Sequence, residues 1–224
     1  MVYPLPEGKR NFVFLGEAGC GKSELAVNLA CRLAAGGKQV HLFDLDMTKP
    51  LFRTRDLGDA LERAGVTLHF EEQFMDAPTV SGGVMRLLRE EDAYTVLDVG
   101  GDYIGARSIG GYAPLLVRPD TAVYYPMNPY RPWSGTLEHL DRVLTEILSV
   151  SHLRFDTLLP AANPNLGEAT TAEDVLEGIR RLEQLLEDRW SIRFVGAEER
   201  LFPQLEGRVA YPLFPVRRRI IYPW

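Results

Sequence analysis

The chain has 224 residues, 46% hydrophobic and 25% charged, with a formal net charge of −6. That size and composition fit one globular α/β domain with a well-buried core, and no apolar run approaches the length of a membrane span. The acidic balance argues against nucleic-acid binding over the whole surface and leaves Arg217, Arg218 and Arg219 as the candidate basic patch. The opening Met-Val-Tyr-Pro-Leu-Pro lacks the charged start and long apolar stretch of a secretory signal, so a cytoplasmic location is expected.

In chain order, the apolar run 11–15 reads as a buried strand and leads directly into residues 16–23, Gly-Glu-Ala-Gly-Cys-Gly-Lys-Ser. This is a complete G-x-x-x-x-G-K-[ST] phosphate loop in its required context, since residues 24–33 continue with helical periodicity. Clustered phosphate charge can be held by backbone N–H groups only where the chain curls tightly and no Cβ intrudes, hence Gly16, Gly19 and Gly21. The intervening Glu17, Ala18 and Cys20 complete the curl, and Glu24 opens the helix whose positive end faces the same phosphates. Lys22 is expected to neutralise the β- and γ-phosphates and Ser23 to offer its hydroxyl to Mg²⁺.

Gly36 and Gly37 stop the first helix, and residues 40–44 read as a second buried strand that closes a βαβ unit. Helices are predicted around 55–64 and 83–89, joined through a strand-like 66–70. Further strands are predicted at 94–99, 121–125, 155–159 and 191–195, with amphipathic helices at 137–150 and 171–189. Alternation of this kind implies a doubly wound, mostly parallel sheet flanked by helices on both faces. Its ligand edge lies beyond the carboxyl ends of the strands, where the phosphate loop, Asp44 and Asp46, Asp98 to Gly101, Asn128 and Asn163 all fall. Residues 210–224, rich in proline and aromatics, are expected to be irregular and to pack on the domain or a partner, and membrane contact through Arg217 to Arg219 and Trp224 is disfavoured.

Cys20 and Cys31 have neither metal-ligand spacing nor a disulfide framework, and His41, His69, His139 and His152 are scattered without pairing in the sequence. Two carboxylates have positions that suit phosphoryl transfer. Asp46 is the candidate for holding the attacking water, and Asp98 for holding Mg²⁺ through a bound water, with Asp44 organising the outer shell of the metal. Asp44 and Asp46 also fit a plain strand end and turn. Asn163 and Asn128 have amides able to read adenine, and each equally precedes a proline as a turn residue does. Neither lies in the Asn-Lys-x-Asp pattern that guanine-specific proteins use, so ATP is favoured over GTP.

The phosphate loop, the segment 44–50, the segment 98–101 and the late asparagines together resemble the MinD/ParA branch of phosphate-loop ATPases, the SIMIBI class. That branch also includes nitrogenase iron protein, Mrp-type carriers and nickel-insertion ATPases. The resemblance implies a phosphate-loop NTPase fold, Mg-ATP as ligand, 44–50 and 98–101 as switch segments, and nucleotide-controlled dimerisation or docking on a protein partner near 49–55 and 101–107. Members that form sandwich dimers carry a lysine just after the first loop glycine, whereas this chain has Glu17. A carboxylate aimed at a triphosphate repels it, so either Glu17 points to solvent or the dimer differs. A synthetase of the dethiobiotin or cobyrinate-amidation type, using Arg53, Arg55 and Arg107 to bind a small acid, is the alternative.

Overall fold

The computed structural model describes residues 2–46, 57–69, 79–131 and 135–220. The calls on Met47 to Pro50, Arg53, Arg55 and Trp224 lie outside the described residues. An eight-stranded sheet, every neighbouring pair parallel, organises the rest.

The sheet's centre is β1 (Asn11–Phe14), buried along its whole length as a strand covered on both faces must be. Its side chains alternate between two cores. Phe12 and Phe14 face α1 (Lys22–Ala35), while Val13 and Leu15 face the opposite layer. The remaining strands are β2 (Gln39–Leu45), β3 (Val66–His69), β4 (Ala93–Val99), β5 (Thr121–Met127), β6 (Leu158–Ala162), β7 (Phe194–Glu198) and β8 (Leu213–Val216). Their spatial order is β3-β2-β4-β1-β5-β6-β7-β8. The chain winds to one side of β1 as far as β4 and then crosses to β5, so the order reverses beside β1 and opens a ligand crevice at that sheet edge.

Helices α2 (Gly58–Arg63) and α3 (Thr79–Leu87) follow β2 and β3. The short α4 (Tyr103–Ser108) and α5 (Ala113–Leu116) lie between β4 and β5, and α4 packs on α6 (Leu137–Ser151). Asp102 caps α4 by accepting from Gly105 N at 2.8 Å, which fixes the chain leaving β4. α7 (Ala172–Leu186) opens with a reciprocal capping box between Thr171 and Asp174, and α8 (Phe202–Leu205) follows β7.

Several boundaries differ from the sequence reading. The strand expected at 155–159 begins at Leu158, because residues 155–157 form a 3₁₀ turn with Phe155 exposed. It continues through Pro160, whose carbonyl accepts from Arg193 N at 2.8 Å although its nitrogen has no proton to give. The helix expected to reach residue 189 ends at Leu186, where Glu187 turns to a φ of 49°. Residues 210–224 are not irregular throughout. Leu213–Val216 forms the edge strand β8 despite Pro215, a position where a missing donor disturbs only one neighbour.

Candidate functional site

The phosphate loop joins β1 to α1, and Gly21 is the residue its shape most requires. Its φ of 91° is left-handed, and a Cβ there would collide with the Asn163 amide nitrogen. Inside the curl Lys22 is 2% exposed and donates from Nζ to the Glu17 carbonyl at 2.9 Å. An ammonium held by one neutral carbonyl is ready to exchange that partner for phosphate oxygens.

Register places the acidic residues. Asp44 and Asp98 are direct neighbours across β2 and β4, and Phe14 at the end of β1 pairs with Asp98. The Ser23 hydroxyl lies beside Asp98 and favours its charged form. Burial, then the Asp44 charge, push its carboxyl up to about 7, while the Ser23 hydroxyl and the Lys22 ammonium pull it down. Asp46 N donates to Asp44 Oδ1 at 3.1 Å, and a Cβ on Gly100 would lie 3.3 Å from Asp46 Oδ1. A Cβ on Gly101 would meet the Ala18 backbone at 2.6 Å, so the turn after β4 lies directly on the phosphate loop. Lys22, Ser23, Asp44, Asp46, Asp98 and Gly100 to Gly101 are therefore gathered around one loop.

This donor set suits a hard cation: a hydroxyl and carboxylates, with no soft ligand. Among the described residues no group of three or more His, Cys, Asp or Glu is arranged to hold a metal by itself. Phosphate oxygens would supply the remaining positions, as Mg²⁺ at nucleotide sites requires.

Three predicted binding residues have other duties. The Glu24 carboxylate accepts from Arg219 N at 2.6 Å and Ile220 N at 3.2 Å, so it straps residues 217–220 to α1 rather than facing phosphates. Burial raises its pKa, against the pull of those two amides. Asn28, one turn later, extends the strap: its amide donates to the Arg217 carbonyl and accepts from Arg217 N, both at 2.9 Å. Asn128, read either as an adenine contact or as a turn residue, is bonded within its own turn. Its Nδ2 donates to the Asn165 carbonyl at 2.9 Å and its Oδ1 accepts from Tyr130 N at 3.2 Å. Asn163 donates to the Cys20 carbonyl at 2.8 Å and braces the phosphate loop from β6.

Glu17 does not simply enter solvent. His139 on α6 bonds it, Nε2 to Oε1 at 2.5 Å, and Arg142 Nη2 lies 2.9 Å from His139 Nδ1. An arginine can only donate, so His139 Nδ1 accepts from Arg142 while Nε2 faces Glu17. His41 Nδ1 and His69 Nε2 are likewise 2.9 Å apart on β2 and β3, although nothing in the sequence spacing paired them. Two of the three arginines of the candidate basic patch have acidic partners: Arg217 pairs with Glu199 at 2.5 Å and Arg218 with Glu168 at 2.7 Å. Among the described residues no helix is long and apolar enough to cross a membrane. Both cysteines are buried and free.

Residues 12–196 match the CobQ/CobB/MinD/ParA nucleotide binding domain. The chain belongs to that family. Comparison with curated proteins gives no match. Among solved structures, the signal recognition particle receptor FtsY of Elizabethkingia anophelis is 17% identical with a TM-score of 0.52, covering 88% of this chain and 61% of its own. Chloroplast FtsY of Physcomitrella patens is 16% identical with a TM-score of 0.55, at 88% and 61% coverage. FlhF complexed with GTP and Mg²⁺ is 14% identical with a TM-score of 0.53, at 85% and 66% coverage. At such identity the likeness is one of fold, that of phosphate-loop NTPases, and the chain spans about three-fifths of the FtsY structures.

Proposed function

We propose that this nucleotide binding domain takes the Mg²⁺ complex of a nucleoside triphosphate, ATP in preference to GTP, and hydrolyses it slowly as a switch acting on a protein partner or a second copy. The observation that carries the reading is the buried Lys22 inside the phosphate loop, with the Ser23 hydroxyl beside Asp98 at the end of β4. The loop amides and Lys22 would hold the β- and γ-phosphates, and Ser23 would offer its hydroxyl to the metal. Mg²⁺, when bound, would supply positive charge that offsets that of the phosphates. Asp98 and Asp44 would steady the metal's water shell, and Asp46, beside Gly100, would orient the attacking water. Because Gly101 rests on Ala18, a change at the terminal phosphate passes into α4, where Tyr103 and Ile104 are 54% and 49% exposed.

Preference for ATP rests on Asn163-Pro164-Asn165 standing where a guanine reader would have Asn-Lys-x-Asp. The synthetase alternative gains nothing further, since Arg53 and Arg55 lie outside the described residues and Arg107 is exposed on α4. Titration calorimetry with Mg-ATP and Mg-GTP tests the reading. The native chain binds ATP more tightly, and Lys22→Ala loses at least about tenfold in affinity, as removal of a charged hydrogen bond implies. Equal affinities in native and Lys22→Ala protein would refute it.

A further inference from the structure

Lys22 acts on the charge of the buried Asp98, which Asp44 and Asp46, also buried, adjoin. A magnesium triphosphate adds further negative charge to that group, so one ammonium leaves the site short of cations. A second cation already touches the loop. Arg131 Nε donates to the Gly19 carbonyl at 2.8 Å, and its guanidinium lies 3.1–3.3 Å from where a Gly19 Cβ would stand. The missing side chain at Gly19 admits the arginine.

The segment that leads into Arg131 is anchored at Asn128 and at Tyr130. Arg131 N donates to the Asn128 carbonyl at 3.2 Å, closing a turn whose Asn128 is tied to Asn165. The hydroxyl of Tyr130 donates to the Asp174 carbonyl, and the Arg181 guanidinium lies over the Tyr130 ring at 5.2 Å from its centroid. Arg131 itself is exposed, and among the described residues no carboxylate pairs with it. A cation with no carboxylate partner among the described residues, spending its bond on a neutral carbonyl of a phosphate loop, is disposed to accept an anion.

We propose that Arg131 is a phosphate-binding residue that exchanges the Gly19 carbonyl for oxygens of the terminal phosphate and supplies the second positive charge from within the same chain. The assignment rests on the nucleotide reading above. During hydrolysis a water oxygen bonds to the γ-phosphorus while the β,γ-bridging oxygen leaves with the diphosphate, and the proton of water passes to the released phosphate. A planar guanidinium at the terminal group offsets charge spreading over its oxygens and contributes nothing comparable to a diphosphate, which lacks that group.

The test uses the full chain, Mg²⁺, a non-hydrolysable ATP analogue and ADP. In calorimetry Arg131→Ala loses about tenfold or more in affinity for the analogue and stays within about twofold for ADP, on the scale of one charged hydrogen bond. Arg131→Lys recovers part of the loss, since it restores charge but not the fork. Turnover of ATP falls by about 10³ in Arg131→Ala, on the scale of an arginine finger. An unchanged ratio of analogue to ADP affinity in Arg131→Ala overturns the assignment. Absence of binding in the native chain overturns the nucleotide reading instead, and a melting curve confirms that the variants are folded.

Discussion

Replacing Asp98 with Asn removes a buried negative charge while keeping the size and shape of the side chain. In the folded protein the Asp98 carboxyl is pushed from 3.8 up to about 7 by burial and by Asp44. A group whose folded pKa is raised binds a proton on folding between those two values, so stability falls as pH rises from about 4 to about 7 and stays reduced above. At about 1.36 kcal/mol per pH unit the gap amounts to roughly 4 kcal/mol at most, and Asp44 carries part of it, so a gain of roughly 2–4 kcal/mol is expected for Asp98→Asn at pH 8. For a chain of this size that corresponds to a melting temperature higher by about 5–15 °C. Thermal melts of both proteins from pH 4 to pH 8 check it: the difference is near zero at pH 4 and grows to its full value by pH 8. The stabilisation that Mg-ATP gives the native chain shrinks in the variant. A variant no more stable than the native chain at pH 8 would refute the placement of Asp98 as a buried charge beside Asp44.

Glu24→Ala leaves Arg219 N and Ile220 N without their acceptor in a half-buried place, which costs about 2 kcal/mol and lowers the melting temperature by about 4–8 °C, whereas Glu24→Gln loses less; calorimetric melts read both. His41 and His69 both have lowered pKa values, first through burial, and His69 next through His41. The stability they contribute is therefore complete above the ordinary histidine value of about 6.5 and is lost as pH falls through their folded values. Urea midpoints at pH 7.5 and pH 5 measure that loss, and His69→Gln flattens it.

The phosphate loop could be read directly because its chemistry is local: consecutive backbone amides, glycines that permit the curl, and a lysine and serine at fixed offsets. The alternating strands and helices likewise announced a parallel doubly wound sheet, since buried strands and amphipathic helices impose their own periods. Asp44, Asp46 and Asp98 were legible as strand ends, and parallel register then set Asp44 beside Asp98. What the order of residues alone did not contain was the partner of each polar group. Glu24 and Asn128 stood at plausible binding positions, yet the first straps the segment 217–220 and the second closes a turn. Glu17 meets His139, 122 residues away, and Arg131 reaches back across 112 residues to Gly19. β8 forms at proline-rich residues because β7 offers an open edge, not because its own composition favours a strand. Local conformation follows from short-range sterics and hydrophobic period, whereas these pairings exist only once distant segments converge at the carboxyl end of the sheet and each buried polar group must find whatever partner the fold has brought within reach.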